Sequence, residues 1–272
     1  MKEDVTSPVL QDALPHVPWM DPRTRRLPGI LPLEGEDWLR VDEAFAGQMA
    51  VRDRLIASAR DRVHALLPEG RAAAEELYAA VLARLRQAPG YQIADDAVTR
   101  PDGVRVPLQG DQPLLTLGRL VQEDLCLMQP DGAGEHRLTG AILCFPASWM
   151  LAEKIGKPLT GIHVPVPGYE GDLARRVQRL FDAIRPGQGL WRMNALVYDD
   201  PTLHQPRREG TSRPRPVEGR YMRCERQCLV RLPVTGAVLF SIHTYVVPVA
   251  TLDPAAQAGM VEAGLWPIAD WH

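Results

Sequence analysis

Apolar residues recur at helical spacing in the first third of the chain. Residues 43–67 place an apolar side chain at about every third or fourth position and stop before Pro68, which predicts one long amphipathic helix. Residues 71–87 repeat this pattern and end before Pro89, so they predict a second helix. Residues 117–125 predict a shorter third helix. The first part of the folded chain is therefore expected to be helical.

Short apolar or alternating runs, typical of β-strands, dominate the rest of the chain. Between them, residues 148–155 predict a helical turn or two, and Asp172 is expected to cap a helix that follows it. Helices that precede a set of strands predict an α+β fold in which the N-terminal helices pack on a mostly antiparallel sheet. The predicted strands are Leu125–Gln129, Leu138–Phe145, Leu190–Tyr198, Tyr221–Leu232 and Ala237–Val247.

Proline distribution predicts two further features of the organisation. Residues 1–35 are rich in proline and aperiodic, so we expect an extended N-terminal arm, with residues 36–272 forming a single α+β domain. Residues 162–171 read IHVPVPGYEG, in which two prolines remove backbone donors, so they predict a stiff loop of polyproline type. Such a loop would hold the backbone of His163 in place.

Composition and charge exclude several classes of protein. The 272 residues contain 45% hydrophobic side chains, and 31 basic against 34 acidic residues give a net charge of −3. The small net charge does not favour binding to nucleic acid or to a membrane surface. The hydrophobic fraction excludes a chain that is disordered throughout. The N-terminus has no apolar signal segment, and no apolar run approaches transmembrane length, so the cytoplasm is the expected location.

The cysteine spacing and the missing cofactor motifs exclude several kinds of metal and cofactor site. Cys126, Cys144, Cys224 and Cys228 lack the spacing of a zinc site, so they are expected to be reduced and buried. The chain also lacks the glycine-rich and CxxC motifs that bind nucleotides, flavins or iron–sulfur clusters. If the protein carries out redox chemistry, its electrons must therefore come from elsewhere.

The predicted strand over 221–232 carries the densest set of polar side chains. Period-two alternation places Glu225 between Arg223 and Gln227 on one face and Arg226 on the other. This pattern also fits a solvated outer face. If the strand is buried, however, its charged groups need partners or a ligand.

Neighbouring strands offer side chains that could join Glu225. The runs over 190–198 and 237–247 carry Arg192, Asn194 and His243, and three adjacent strands could present these groups with Glu225 to one cavity. His163 is a separate candidate, because a rigid backbone suits a metal ligand. A lone histidine is nevertheless more often a satisfied core residue than a ligand.

Four ordered strings add a family resemblance that runs from about Trp19 to Pro248. They are IHVPVPGY, GLWRMNALVYDDPTLH, RCERQCLVRLP and AVLFSIHTYVVP, and together they resemble the heme-dependent oxidative N-demethylase family. The resemblance implies a PAS-like fold that holds heme b. It also implies O₂-dependent demethylation of dimethylamine, a small secondary amine, with NADPH as the indirect reductant through separate reductase subunits.

The resemblance also implies roles for individual residues. His163 lies in the family's IHxPVP motif and is expected to ligate the iron, and Glu225 in the ERQ motif is expected to be the catalytic carboxylate beside it. His243 is the alternative iron ligand or a contact of the heme propionates. The other expected propionate contacts are arginines, namely Arg192, Arg223 and Arg226.

Two other functions fit the same sequence. One is a non-catalytic heme-binding sensor or carrier, and the other is a family member that acts on a different amine or has lost turnover. The segment from Arg207 to Arg231 contains eight arginines and three glutamates, and this local positive charge fits propionates or an acidic redox partner.

Overall fold

A mostly antiparallel β-sheet with helices on both faces organises the protein, whose computed structural model describes residues 9–163 and 171–266. The predicted α+β class, with N-terminal helices packed on the sheet, is confirmed. In chain order the elements are β1 (Leu31–Pro32), α1 (Phe45–Ser58), α2 (Arg60–Val63), β2 (His64–Leu66), α3 (Arg71–Leu85), β3 (Gln92–Ile93), β4 (Ala97–Thr99), β5 (Arg105–Pro107), α4 (Pro113–Gly118), β6 (Asp124–Pro130), β7 (His136–Ile142), α5 (Leu151–Lys154), α6 (Leu159–Ile162), α7 (Asp172–Ala183), β8 (Leu190–Met193), β9 (Leu196–Tyr198), β10 (Tyr221–Arg231), β11 (Val238–Pro248) and α8 (Pro254–Glu262).

The large sheet is built around one long hairpin. Strands β10 and β11 have 11 residues each and pair along their whole length. The sheet order in the described chain is β1-β8-β10-β11-β6-β7-β2, with β9 also beside β10, and β3, β4 and β5 form a separate small sheet. The hairpin closes through a hydrogen bond of 2.8 Å from the Leu232 amide to the Ala237 carbonyl. The two strands with the most candidate residues are therefore direct neighbours.

Different helices cover the two faces of this sheet. On one face, which we call the N-terminal face, side chains of α1, α3 and α4 pack against β6 and β11, with Leu77, Leu117 and Leu239 fully buried. On the other, which we call the α7 face, Leu159 of α6 and Phe181 of α7 pack against side chains that include Ile242. Within the described residues, no helix is both long and apolar enough to cross a bilayer.

The predicted first helix is wrong beyond Ser58. Helix α1 ends there, the backbone of Ala59 leaves the helical region at φ −140°, and α2 is a single turn. His64, predicted on the helix, instead begins β2 and pairs with Ile142 of β7. Pairing with the edge of β7 satisfies the backbone hydrogen bonds of this segment, so it forms a strand although its apolar residues have helical spacing.

Other predicted elements shift by a few residues. The helix predicted over 117–125 lies at Pro113–Gly118, because proline suits the first helical position, and β6 begins at Asp124. Asp172 is the first residue of α7 rather than its cap, which is Gly171 at φ +57°. The predicted helix over 71–87 and the strand pair β6 and β7 are confirmed. Most of the predicted 162–171 loop lies outside the described residues.

The N-terminal segment lies along the sheet and α8. The indole of Trp19 is buried and donates to the Ala256 carbonyl at 2.9 Å. The Gln11 amide donates to the Val246 carbonyl of β11 at 3.0 Å, and β1 pairs with β8 at the sheet edge. These contacts tie the region before α1 to α8, to β11 in the middle of the large sheet and to the edge strand β8.

Candidate functional site

Alternation along β10 divides the candidate residues between the two faces of the sheet. Glu225 stands opposite Thr244 of β11, and Gln227 stands opposite Arg192 of β8. Directly paired residues point to the same face of a sheet. Glu225, Gln227, Arg192 and Thr244 therefore share the α7 face, as the sequence predicts for the first two.

The Glu225 carboxylate is buried and surrounded by donors. Its Oε2 accepts from Asn194 Nδ2 at 3.0 Å and from Gln227 Nε2 at 3.1 Å. Its Oε1 lies 3.4 Å from Arg223 Nη2, and the side chain of Glu225 is only 9% exposed. Amide and guanidinium groups donate hydrogen bonds, so a carboxyl oxygen is the acceptor in each of these contacts. The site therefore contains a buried carboxylate held as an acceptor.

Asn194 reaches Glu225 because the strand predicted over 190–198 is interrupted. Strand β8 ends at Met193 and β9 begins at Leu196. In the interruption, the Asn194 amide donates to the Glu225 carbonyl at 3.1 Å, while Asn194 Oδ1 accepts from the Glu225 amide at 2.8 Å. One residue thus fixes both the backbone and the carboxylate of Glu225.

Arg192 extends this network away from the carboxylate. Its Nη1 donates to Gln227 Oε1 at 3.1 Å, so Gln227 connects the guanidinium to Glu225. Burial lowers the pKa of Arg192, and the charge of Glu225 opposes that shift. Its Nε is buried without a hydrogen-bond partner in the described chain. Arg192 therefore retains donor capacity for an anionic group.

Arg223 is held more tightly than Arg192. Its Nη1 donates to the Leu203 carbonyl at 2.9 Å, and its Nη2 donates to the Phe145 carbonyl at 2.6 Å. The guanidinium also lies 6.0 Å from the centre of the Tyr198 ring. Arg223 therefore ties two loops to β10 next to Glu225, and only its buried Nε has no partner in the described chain.

His163 ends α6, on the α7 face. Its Nδ1 lies 2.8 Å from the Leu159 carbonyl. A ring nitrogen facing a carbonyl carries the proton, so Nε2 is the nitrogen with the lone pair. Burial lowers the pKa of His163, the hydrogen bond to the Leu159 carbonyl opposes that shift, and the nearby charges of Lys154 and Arg192 add to it. His163 is thus a neutral imidazole on the same side of the sheet as Arg192.

His243 belongs to a different network on the N-terminal face. It stands opposite Arg226, one position out of step with Glu225, so the prediction of one cavity shared by His243 and Glu225 is wrong. Its Nδ1 lies 2.8 Å from Glu123 Oε1 and its Nε2 lies 3.0 Å from Asp42 Oδ2. These carboxylates overcome burial and raise the pKa of His243 to about 9. His243 is therefore a buried imidazolium.

Arg226 lies on the same face as His243. Its Nη1 donates to the Asp37 carbonyl at 2.6 Å, and its Nη2 donates to Asp37 Oδ2 at 3.0 Å. Its guanidinium also lies 5.2 Å from the centre of the Trp191 ring. Arg226 therefore joins β10 to the segment before α1, away from Glu225.

Thr244 is a member of the α7-face set that the sequence analysis missed. It lies opposite Glu225, is 1% exposed, and its Oγ1 has no hydrogen-bond partner in the described chain. The predicted bounds of the two strands are sufficient to identify Thr244 as the residue opposite Glu225. They leave a turn at 233–236, and a hairpin that closes with 232 opposite 237 also places 225 opposite 244.

The remaining candidate groups do not form a protein-only metal centre. Among residues 9–163 and 171–266, no group of three or more His, Cys, Asp or Glu side chains could hold a metal ion. All four cysteines are free and buried, as predicted. Burial raises the pKa of Cys144 and of Cys228 to about 12, so these thiols are protonated at neutral pH.

Comparison with known families gives the class of this α+β protein. A family model described as haem-dependent oxidative N-demethylase, alpha subunit-like, matches residues 29–265. The match covers most of the chain, so the protein belongs to this family, and the resemblance found in its sequence is confirmed. The family name indicates a heme-dependent oxidative enzyme with more than one kind of subunit. No curated protein matches the chain.

Proposed function

We propose that the protein catalyses the heme-dependent oxidative N-demethylation of a small secondary amine such as dimethylamine. The reaction uses O₂ and externally supplied electrons and releases formaldehyde and a primary amine. The observation that carries this proposal is the buried Glu225 carboxylate, held by the donors of Asn194 and Gln227 on the same face as His163. Such a carboxylate suits an ammonium ion as its ligand.

The residues on the α7 face fit heme b. His163 provides a neutral imidazole whose Nδ1 faces the Leu159 carbonyl, and we propose that its other ring nitrogen, Nε2, ligates the iron. Arg192 has a buried Nε without a partner in the described chain, and a heme propionate would satisfy it. Apolar side chains of this face, including Ile242 and Phe240, suit the porphyrin. When bound, heme supplies the O₂ and electron chemistry that amino acid side chains lack.

Glu225 has two tasks in this proposal. As an ionised group it binds the substrate ammonium, and its burial strengthens that attraction. An ammonium nitrogen has no lone pair, so oxidation next to it requires loss of a proton, and the Glu225 carboxylate is the group placed to accept that proton. Gln227 and Asn194 keep the carboxylate oriented during this transfer.

The other predicted heme contacts have different environments. Arg223 gives Nη1 and Nη2 to backbone carbonyls, so we propose that it positions Glu225, with only its Nε available to a propionate. Arg226 and His243 bond to Asp37 and to Asp42 and Glu123 on the N-terminal face. The proposed heme site therefore uses His163, Glu225 and Arg192 and does not draw on Arg226 or His243.

Electron supply is assigned to other subunits. The chain has no nucleotide-binding motif, and the alpha-subunit designation of its family fits an enzyme with separate reductase components. We propose that NADPH acts only through such a reductase, and that the exposed arginines of the segment before β10, such as Arg208 and Arg220, face an acidic partner. The four free thiols suit the reducing cytoplasm, where we place the reaction.

Absorbance spectroscopy of the purified protein tests the proposal. Hemin is added to the protein, and the Soret band is recorded before and after addition of dimethylamine, with sodium acetate as the matched control. We expect a protein-bound Soret band that dimethylamine shifts and acetate does not, and formaldehyde release once a reductant and O₂ are supplied. Failure to retain heme overturns the proposal. Heme retention without an amine response instead supports a non-catalytic sensor or carrier.

A further inference from the structure

The hydroxyl group of Thr244 is buried without a hydrogen bond. Thr244 is 1% exposed, and its Oγ1 has no partner in the described chain. A buried, unsatisfied hydroxyl destabilises a fold, and valine has nearly the same shape without this cost. The fold of this strand does not require the hydroxyl.

The backbone around Thr244 is fixed, so the side chain has a defined direction. Its carbonyl accepts from Gln11 Nε2 and from Gln48 Nε2, both at 3.2 Å. It stands directly opposite Glu225 in the β10–β11 pair. Residues paired in this way have Cβ atoms about 4.5–5.5 Å apart on one face. The carboxylate and the unsatisfied hydroxyl therefore border the same small region.

The two groups differ in what they offer a ligand. Glu225 Oε2 already accepts two hydrogen bonds, whereas among the residues that the structure describes its Oε1 has only the long 3.4 Å approach of Arg223. Oε1 can therefore accept from a ligand, and a threonine hydroxyl can accept a second bond beside it. A ligand with two N–H groups on one small centre would satisfy both acceptors.

We propose that Glu225 and Thr244 bind the two N–H groups of a secondary ammonium ion, and that this pair makes the protein select secondary over tertiary amines. The inference rests on the proposed function. A dimethylammonium ion has two N–H groups, one for Glu225 and one for the hydroxyl of Thr244. A trimethylammonium ion has only one, so it leaves Thr244 unsatisfied. After Glu225 accepts its proton, the second N–H stays on Thr244 and keeps the nitrogen in place.

The test compares two amines on three heme-loaded proteins. Dimethylamine and trimethylamine are titrated into the wild type, Thr244→Val and Thr244→Ser, and binding is followed by the Soret shift. We expect Thr244→Val to weaken dimethylamine binding about 3- to 10-fold and trimethylamine binding less than 2-fold, because one hydrogen bond is lost for the first amine only. Thr244→Ser keeps the hydroxyl and is expected to keep the selectivity.

Thermal stability without heme or amine gives a second, independent readout. Thr116 provides the matched control, since it is also buried but its Oγ1 bonds to the carbonyls of Gln109 and Gln112, both at 3.1 Å. We expect Thr116→Val to lower the Tm and Thr244→Val to leave it unchanged or raise it. A Tm loss in Thr244→Val equal to that in Thr116→Val would assign the Thr244 hydroxyl to the fold and overturn the inference.

The outcomes separate this inference from the proposed function. An equal loss of affinity for both amines in Thr244→Val, or no loss for either, overturns the two-point binding while the amine response of the wild type stands. A wild type whose Soret band responds to neither amine overturns the proposed function. It also overturns the binding of an ammonium ion by Glu225 and Thr244, which rests on that function.

Discussion

Arg226 stands directly opposite His243, and Glu225 therefore projects from the other face of the same sheet. On the N-terminal face, His243 and Arg226 bond to carboxylates and a backbone carbonyl of remote segments, which ties the fold together. On the α7 face, Arg192 Nε and the Thr244 hydroxyl beside Glu225 are buried without a hydrogen-bond partner in the described chain. Consecutive residues of one strand thus serve stability on one side and, we propose, ligand binding on the other.

Replacement of the Glu225 carboxylate tests its proposed charge. Glu225→Gln keeps the size of the side chain but removes the negative charge that attracts an ammonium ion. We expect heme retention to be unchanged and dimethylamine affinity, measured by the Soret shift, to fall about 10- to 100-fold, since hydrogen bonds to charged groups contribute about 1.5–3 kcal/mol. Turnover should be lost.

A surface glutamate provides the control for that variant. Glu75 lies on α3, and its side chain is 54% exposed beside Arg71. Glu75→Gln should leave both heme and amine binding unchanged. Full demethylase activity in Glu225→Gln would remove Glu225 from the mechanism.

Removal of the His163 ring tests the iron ligand. We expect His163→Ala to lose heme during gel filtration or to show an altered ligand-field spectrum, because the ring that would bind the iron is gone. His64 is the matched control, since it is a half-buried histidine on the short strand β2. His64→Ala should retain heme. Normal heme retention and an unchanged spectrum in His163→Ala would contradict the assignment.

The His243 network predicts a pH-dependent stability. The pKa of His243 is about 9 in the folded protein against an ordinary value of 6.5, because Asp42 and Glu123 hold the proton. Protonated His243 therefore stabilises the fold by roughly 3 kcal/mol, and this contribution is fully present below about pH 6.5. It is lost as the pH rises through 9 and the ring loses its proton. Other charged or titratable groups around this network include Arg40, Arg226, Asp37 and Tyr245. Arg52, Tyr91 and Cys228 also interact electrostatically with Glu123.

Thermal melts between pH 6.5 and 9.5 measure that contribution. We expect the Tm of the wild type to fall across this range and the Tm of His243→Gln to be lower at pH 6.5 but nearly flat, because glutamine does not titrate. A variant whose Tm falls with pH as steeply as that of the wild type would show that other groups cause the dependence.

Arg231 is expected to stabilise the C-terminal end of α7. Its Nε donates to the Ile184 carbonyl and its Nη1 to the Gly236 carbonyl, both at 2.6 Å, and its Nη2 donates to the Phe181 carbonyl. A cation at this end of a helix satisfies carbonyls that have no partner within the helix. Arg231→Met should lower the free energy of unfolding in urea by roughly 2 kcal/mol or more.

An exposed arginine of α7 is the control for Arg231. Arg179 lies on the solvent side of α7, so Arg179→Met should change the unfolding free energy by less than about 0.5 kcal/mol. Equal effects of the two substitutions would show that the carbonyl contacts of Arg231 contribute little.

Local patterns determined much of this protein. Alternation placed Glu225 with Gln227 and apart from Arg226, helical spacing located α3, and four ordered strings identified the family. These inferences succeeded because they depend on neighbours in the chain. The same local reasoning failed at His64, where pairing with β7 replaced the predicted helix.

Only the tertiary structure decided which candidates meet. Neighbouring strands carry His243 and Glu225, so the sequence predicts that they meet, but a register difference of one residue moves a side chain to the opposite face. The partners of His243 come from Asp42 and Glu123, 201 and 120 residues away, and no local pattern specifies them. The predicted strand bounds already place Thr244 opposite Glu225, but only the folded structure shows that its hydroxyl is buried without a partner in the described chain.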